Sequence, residues 1–354
     1  MKDYMEDIWI EEEAKKVEDH LYQRKGLRIP IQDILNHILI GFLEWDEEKI
    51  LGNFKELEIL LKGNGFPEDG LGIREVLYPL GKIIGKIMLM KKEESKGQKI
   101  LSNILNNSRP EMRCVGCVAL GETGKKDLEA VIPYMYKLAM DEDWRVRDFI
   151  ARVLDEEIGK AYPEQLFNMM KAWAKDRNEK IRRVSTQALL SYGWKDPEPI
   201  LELMKQLLHD ESLYVRKGVY YCLQTIGKDQ NLLFSDVRRE NPGIVFKALK
   251  EWIKEDHPYT HWIIAKTLSE PTWTKLFWWE VLEVLKSIVE RGREELHETV
   301  FETIMSIFKY NAHKVFRTLK EWTISPNKNV QKVGGRTIHE INVRSIRCHE
   351  IAAV

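Results

Sequence analysis

The chain has 354 residues, 44% of them apolar and 31% charged, and its 55 Lys and Arg against 56 Asp and Glu leave a formal net charge of −1. So balanced a total excludes a whole-molecule basic field, although a local basic patch remains compatible with it. Four cysteines, Cys114, Cys117, Cys222 and Cys348, are too few and too scattered for a disulfide framework, which excludes the small secreted class and points to a reducing, cytoplasmic compartment.

The first twenty residues carry eight acids against three lysines, the opposite of a secretory leader. Amphipathic spacing predicts helices over 3–21, 31–43, 54–61 and 73–92, with a Gly-rich loop over 63–72. The most apolar stretch, 83–90, is interrupted by Lys86 and too short to span a bilayer, so no membrane association is expected. Residues 1–98 are read as an irregular helical cap covering the open end of a repeat array that fills 99–354.

The array announces itself by period. Lys137, Lys171, Lys205, Lys250, Lys286 and Lys320 follow one another at 34, 34, 45, 36 and 34 residues, and Arg147, Arg182, Arg216, His261, His297 and Gln331 trail them by ten or eleven. Such self-similarity marks paired helices that cannot bury their apolar faces singly. First helices are predicted over 128–140, 163–175, 197–208, 242–254, 278–289 and 314–322, three of them with Pro in the first turn, where its missing N–H costs nothing. Second helices open near Glu111, Trp144, Glu179, Leu213, Tyr259, Leu296 and Asn329. The 45-residue interval holds an insertion, 229–240. The fold class is therefore all-α, a right-handed α-solenoid of HEAT-like helix pairs whose second helices line a concave groove, expected as a monomer.

Several motifs have ordinary explanations. Cys114 and Cys117 have C-x-x-C spacing but lack two further zinc ligands and a redox setting, so they read as packing. His297-Glu298 and His339-Glu340 lack the second His of a helical zinc pair, and the glycines of 63–72 match no phosphate loop; no metal and no cofactor is expected. Trp173, Trp252 and Trp322 follow a repeat lysine by two residues and read as core, as do Trp278 and Trp279. Arg147, Arg182 and Arg216 are expected to pair with Asp141, Asp176 and Asp210 at the ends of the preceding helices.

Trp144 differs. It opens a second helix among charges, one turn ahead of Asp148, on the same face. Arg183 and Lys217 continue the Asp148 register at steps of 35 and 34, with Tyr220 and Tyr221 one turn beyond Lys217. An acid, later cations and flanking aromatics suit a sugar-phosphate ligand, and the tail cations Lys332 and Arg336 are further phosphate candidates.

At these residues the chain resembles the HEAT-like DNA alkylation repair glycosylases, the AlkC/AlkD superfamily. The resemblance covers about 141–268 and rests on Asp143-Trp-Arg-Val-Arg-Asp148, Asn178-Glu-Lys-Ile-Arg-Arg183, and the helix from Leu213 through Tyr-Val-Arg-Lys to Gly227-Lys228, with Asn241-Pro-Gly after it. It implies binding of double-stranded DNA carrying alkylated purines and hydrolysis of the N-glycosidic bond at N3- and N7-alkylpurines. Carried over, the catalytic acid is Asp148, its aromatic partners are Trp144 and Tyr221 (a Trp in one branch of the family), and the phosphate-binding Arg is Arg183, with Lys217 beside it in register. The family's groove is usually basic, whereas 109–270 here holds 26 basic and 26 acidic residues. The alternative is a non-catalytic HEAT-repeat scaffold whose groove binds a protein or nucleic-acid partner.

Overall fold

The structure, a computed structural model, describes residues 9–19, 31–44, 46–63, 71–90, 94–228 and 240–352, and among them there are helices and no strand. The predicted loop over 63–72 and the insertion over 229–240 lie largely outside the described residues. The chain forms two compact units, Met1–Ala188 and Leu189–Val354, each described by itself.

In the first unit, α1 (9–19) is followed by α2 (Gln32–Glu44), α3 (Glu47–Gly63), α4 (Leu71–Met90) and α5 (Glu94–Leu105). Then come α6 (Pro110–Gly124), α7 (Leu128–Ala139), α8 (Trp144–Val153), a π-turn (Leu154–Ile158), α9 (Gly159–Ala161), α10 (Pro163–Trp173) and α11 (Glu179–Ser185). A buried carboxylate, Glu18 of α1, accepts the N–H groups of Ile31 and Gln32 (2.6 and 3.1 Å) and so caps α2. Successive second helices α6, α8 and α11 pack side by side. The second unit contains α12 (Leu190–Lys195), α13 (Pro197–Gln206), α14 (Leu213–Ile226), α15 (Asn241–Trp252) and α16 (Pro258–Leu268). It ends with α17 (Pro271–Leu276), α18 (Trp278–Glu290), α19 (His297–Thr323) and α20 (Lys328–Ala352).

One device recurs at the turn joining the two helices of a repeat. Asn107, Asp141, Asp176 and Asp210 each accept the N–H two residues on, at 2.7–3.0 Å. Asp143, Asn178 and Ser212 then cap the second helix through their side chains. An arginine of that helix reaches back to two main-chain carbonyls of the turn: Arg113 to Asn107 and Ser108, Arg147 to Asp141 and Glu142, Arg182 to Asp176 and Arg177, Arg216 to Asp210 and Glu211, at 2.6–3.1 Å. His261 stands in the same place toward the Glu255 carbonyl (2.9 Å). The expected pairing of Arg147, Arg182 and Arg216 with Asp141, Asp176 and Asp210 is therefore corrected in its atoms. Each guanidinium donates to the main-chain carbonyl of that residue, while the carboxylate accepts a turn N–H. The series also starts at Arg113, one repeat earlier than the lysine spacing reaches.

Two departures from regular repeats shape the first unit. The second helix that opens at Glu179 stops at Ser185, where the Ser185 and Thr186 hydroxyls donate to the Arg182 and Arg183 carbonyls (both 2.7 Å) and compete with the helical ladder. The other departure is the close seating of α4 on α6. A Cβ on Gly81 would stand 2.6 Å from Val118 Cβ and 2.8 Å from the Val115 carbonyl, and one on Gly85 2.5 Å from Glu122 Cβ. With α4 so near, α6 is buried nearly all round, Cys114 and Cys117 included, and burial pushes both thiols well above their ordinary pKa. Both act as packing residues. Trp173, Trp252 and Trp322 are core, as expected, but Trp279 is not: its side chain is largely exposed.

Beyond α8 the π-turn rotates Glu157 inward, 3% exposed. It accepts from Tyr78 Oη (3.1 Å) and pairs with Lys82 (2.6 Å) and Lys125 (2.5 Å). Burial alone would raise its pKa, yet hydrogen bonds and charge from Lys125 and Lys82 hold it down to about 2.

Two outcomes follow from these contacts. Gly81→Ala should cost about 1–3 kcal/mol by forcing α4 from α6. Gly52→Ala, in α3 with nothing within 4 Å of the added Cβ, should gain up to about 1 kcal/mol of helix propensity; denaturant midpoints of the two variants should move in opposite directions. Glu157, with its folded pKa below its ordinary 4.5, contributes stability that is complete above pH 4.5 and is lost as pH falls toward 2. Glu157→Gln should lower stability near neutral pH, on the order of 2 kcal/mol after allowance for screening at the two part-exposed lysines. It should also flatten the acid limb of the stability profile between pH 4.5 and 2.

Candidate nucleic-acid interface

The five residues singled out by sequence lie on second helices of both units. Trp144, Asp148 and Arg183 belong to the first unit, on α8 and α11; Lys217 and Tyr221 belong to the second, on α14.

The opening of α8 is held by a charge network. Asp143 caps it, accepting from Arg145 N (2.8 Å), and binds the Arg145 guanidinium, which also reaches Glu111 (2.8 Å). Arg113 meets Asp141 with two bonds (2.7 and 2.8 Å). The Asp143 carboxyl is held below its usual pKa, chiefly by the Arg145 hydrogen bond, so the network is charged at neutral pH. A further pair joins Glu142 and Lys180 (2.7 Å). These bonds fix the first turn of α8 and with it the direction of Trp144, 52% exposed. Asp148 follows one turn later, half-buried, on the same side of the helix.

One turn beyond Asp148, the Arg152 guanidinium lies 4.5 Å from the centroid of the Tyr78 ring and binds Glu156 (2.7 Å). Arg152 was not among the residues predicted from sequence; the i, i+4 run Trp144, Asp148, Arg152 was the signal that could have found it. Arg152 and Tyr78 also line a cleft of about 530 Å³ with Glu13, Lys16, Lys82 and Lys86. Arg183, on α11 against α8, is half-buried, its Nη1 3.4 Å from Thr186 Oγ1.

In the second unit Lys217 is exposed and Tyr221 is 44% exposed on α14, while Tyr220 packs edge-on against Trp262 of α16, ring centroids 5.6 Å apart. Tyr221 is thus the aromatic offered to solvent and Tyr220 the one used in packing. Of the tail cations, Lys332 is paired with Glu294 (2.6 Å) and Arg336 with Glu298 (2.5 Å), both pairs exposed at the surface. Among the described residues, no three or more His, Cys, Asp or Glu side chains gather as a metal centre would require, and no helix is long and apolar enough to cross a membrane.

Comparison with known proteins finds several similarities. A curated relative, the uncharacterized protein YhaZ of Bacillus subtilis (strain 168), is 30% identical over 131 residues, an alignment covering 34% of this chain and 31% of that protein. The chain thus spans about a third of the length of the curated relative it matches. Among solved structures, AlkD2 from Streptococcus mutans superposes with a TM-score of 0.45 at 21% identity, over 60% of this chain and 96% of that one. The Pseudomonas fluorescens alkylpurine DNA glycosylase AlkC, bound to DNA containing an abasic site analog, gives a TM-score of 0.45 at 16% identity, over 80% and 67%. The profile of the family described as DNA alkylation repair enzyme matches residues 78–236, which include all five candidate residues. Over that segment the chain is similar to the DNA alkylation repair enzyme family.

Proposed function

We propose that the protein binds double-stranded DNA and acts as a glycosylase, hydrolysing the N-glycosidic bond of N3- and N7-alkylated purines. The observation that carries the reading is α8, where a solvent-facing Trp144 and a half-buried Asp148 stand one turn apart on a helix start fixed by five charged residues.

Breaking the bond builds positive charge on the deoxyribose. The Asp148 carboxylate stabilises that charge and orients the attacking water. Trp144 offers its ring face to the cationic sugar and base, and Tyr221 is assigned the same role on α14. An alkylated purine is already cationic, so it departs without a proton from the protein. Arg183 and Lys217 are assigned to backbone phosphates, which position the duplex and carry no sequence information. The same reading keeps 1–98 as a cap and 99–354 as the DNA-binding array.

Asp148→Asn should preserve fold and DNA affinity and lower release of 7-methylguanine or 3-methyladenine from methylated DNA about 10²–10³-fold, the scale of one transition-state electrostatic contact. Trp144→Ala and Tyr221→Ala should lose less. Wild-type protein that releases no alkylated base would sink the enzyme reading in favour of a non-catalytic scaffold. Affinity for duplex DNA should fall with salt at a log–log slope of about −0.9 per phosphate contact, and Arg183→Ala should reduce that slope by about one. Binding indifferent to salt would remove the phosphate assignments.

A further inference from the structure

Outside the family segment, the second unit exposes an aromatic and basic patch that the repair reading does not use. It forms where α17, the start of α18 and the middle of α19 meet. Leu276, Trp279 and Tyr310 are 52, 44 and 47% exposed. Lys275 sits 4.6 Å from the Tyr310 ring centroid and Lys314 5.2 Å from that of Trp278, itself edge-on to Trp279 at 5.7 Å. The backbone of α19 departs from helical geometry at Asn311 (φ −136°, ψ 40°), and the Asn311 amide donates to the Thr274 carbonyl (3.4 Å), which ties the kink to α17.

Charge selects the occupant. Residues 303–320 contain Lys309, Lys314, Arg317 and Lys320 and no carboxylate, and 271–279 contain Lys275 and no carboxylate. The acids that flank these stretches are Glu270, which accepts from Thr272 N (2.7 Å), Glu302, paired with Lys266 (2.6 Å), Glu321, near Arg317 (4.0 Å), and Glu280 and Glu283 of α18. Exposed ring faces bordered by lysines match a polyanion that carries flat aromatic groups along its length. In a duplex those faces are already stacked on one another; in a single strand they are free to stack on a side chain. An acidic peptide would satisfy the lysines and leave the rings unmatched.

We propose that the α17–α18–α19 patch is a binding surface for single-stranded nucleic acid, with Trp279 and Tyr310 as stacking platforms and Lys275 and Lys314 as phosphate contacts. The proposal is independent of the chemistry assigned to Asp148.

The test is anisotropy of a labelled oligothymidylate of about a dozen nucleotides, within the range of known single-strand site sizes, titrated with the full chain at low salt. Wild type should bind. Trp279→Ala and Tyr310→Ala should each weaken binding about tenfold, within the range for loss of one stacked base, and Trp279→Phe should restore most of the loss. Release of alkylated base from methylated duplex should be unchanged in all three variants. A chain that binds the oligothymidylate through Trp279 but releases no base would support this patch while overturning the glycosylase reading. No binding, equal binding by the alanine variants, equally effective competition by duplex of the same length, or binding of phosphatidylserine vesicles in place of the oligonucleotide would each overturn the proposal.

Discussion

The structure depends most on how five successive repeats satisfy the main-chain carbonyls of the turn between their two helices. A turn carbonyl has no partner in either helix, and leaving it unpaired beside a neighbouring repeat is costly. Here a guanidinium from the following helix supplies the donors: Arg113, Arg147, Arg182 and Arg216, with His261 in the fifth place. Because the donor sits at a constant distance from the turn, the bond also sets the rotation of the second helix. The next residue is carried to one register position, occupied by Cys114, Asp148 and Arg183 in the first unit and by Lys217 and Trp262 in the second. The residues assigned to chemistry are therefore neighbours in sequence of the residues that hold the repeat together.

What that register position can do depends on what covers it. On α6, a helix closely approached by the two glycines of α4, the position is the buried Cys114 and serves packing. On α8 it is half open and holds a carboxylate. Along the same helix Arg145 binds Asp143 and Glu111, Arg147 binds turn carbonyls, and Arg152 binds Glu156 and lies on the face of Tyr78. The near-neutral charge of 109–270 has a local explanation in such pairs, since many of its basic residues hold acids or carbonyls of the fold itself.

Period and helix type were legible in the sequence because stacking forces identical spacing on the buried positions. The first-helix starts at Pro163, Pro197 and Trp278 and the second-helix starts at Trp144, Glu179 and Leu213 are where spacing and capping residues put them. The kink at Asn311 stands three residues before the predicted helix start at Lys314. Less legible were features set by neighbours in space. The Arg113 turn was missed because its own first helix, α5, falls outside the lysine series. The π-turn that buries Glu157 has no period to announce it, and the pairing of Lys332 and Arg336 with Glu294 and Glu298 joins residues 38 apart. For the candidate site, the face shared by Trp144 and Asp148 was readable from a four-residue step; the place of Arg152 at the next step depends on Tyr78 of α4, far from it in sequence.

The tryptophans show why position within a helix decides between core and surface. Side chains on a helix lean toward its N-terminus and pack on the preceding turn. Trp173, Trp252 and Trp322 stand near the C-terminal ends of α10, α15 and α19, with a full helix before them, and are buried. Trp144 is the first residue of α8 and Trp279 the second of α18, and neither has a preceding turn to cover its ring. Composition therefore predicts both kinds alike; place in the helix separates these five, while Trp273, third in α17 and fully buried, is covered by neighbouring elements. Exposure at a helix start is the expected local geometry; what needs a cause is the choice of tryptophan there, where a small or polar residue would serve the helix as well. At Trp144 the cause assigned is a cationic sugar, and at Trp279 an unpaired base.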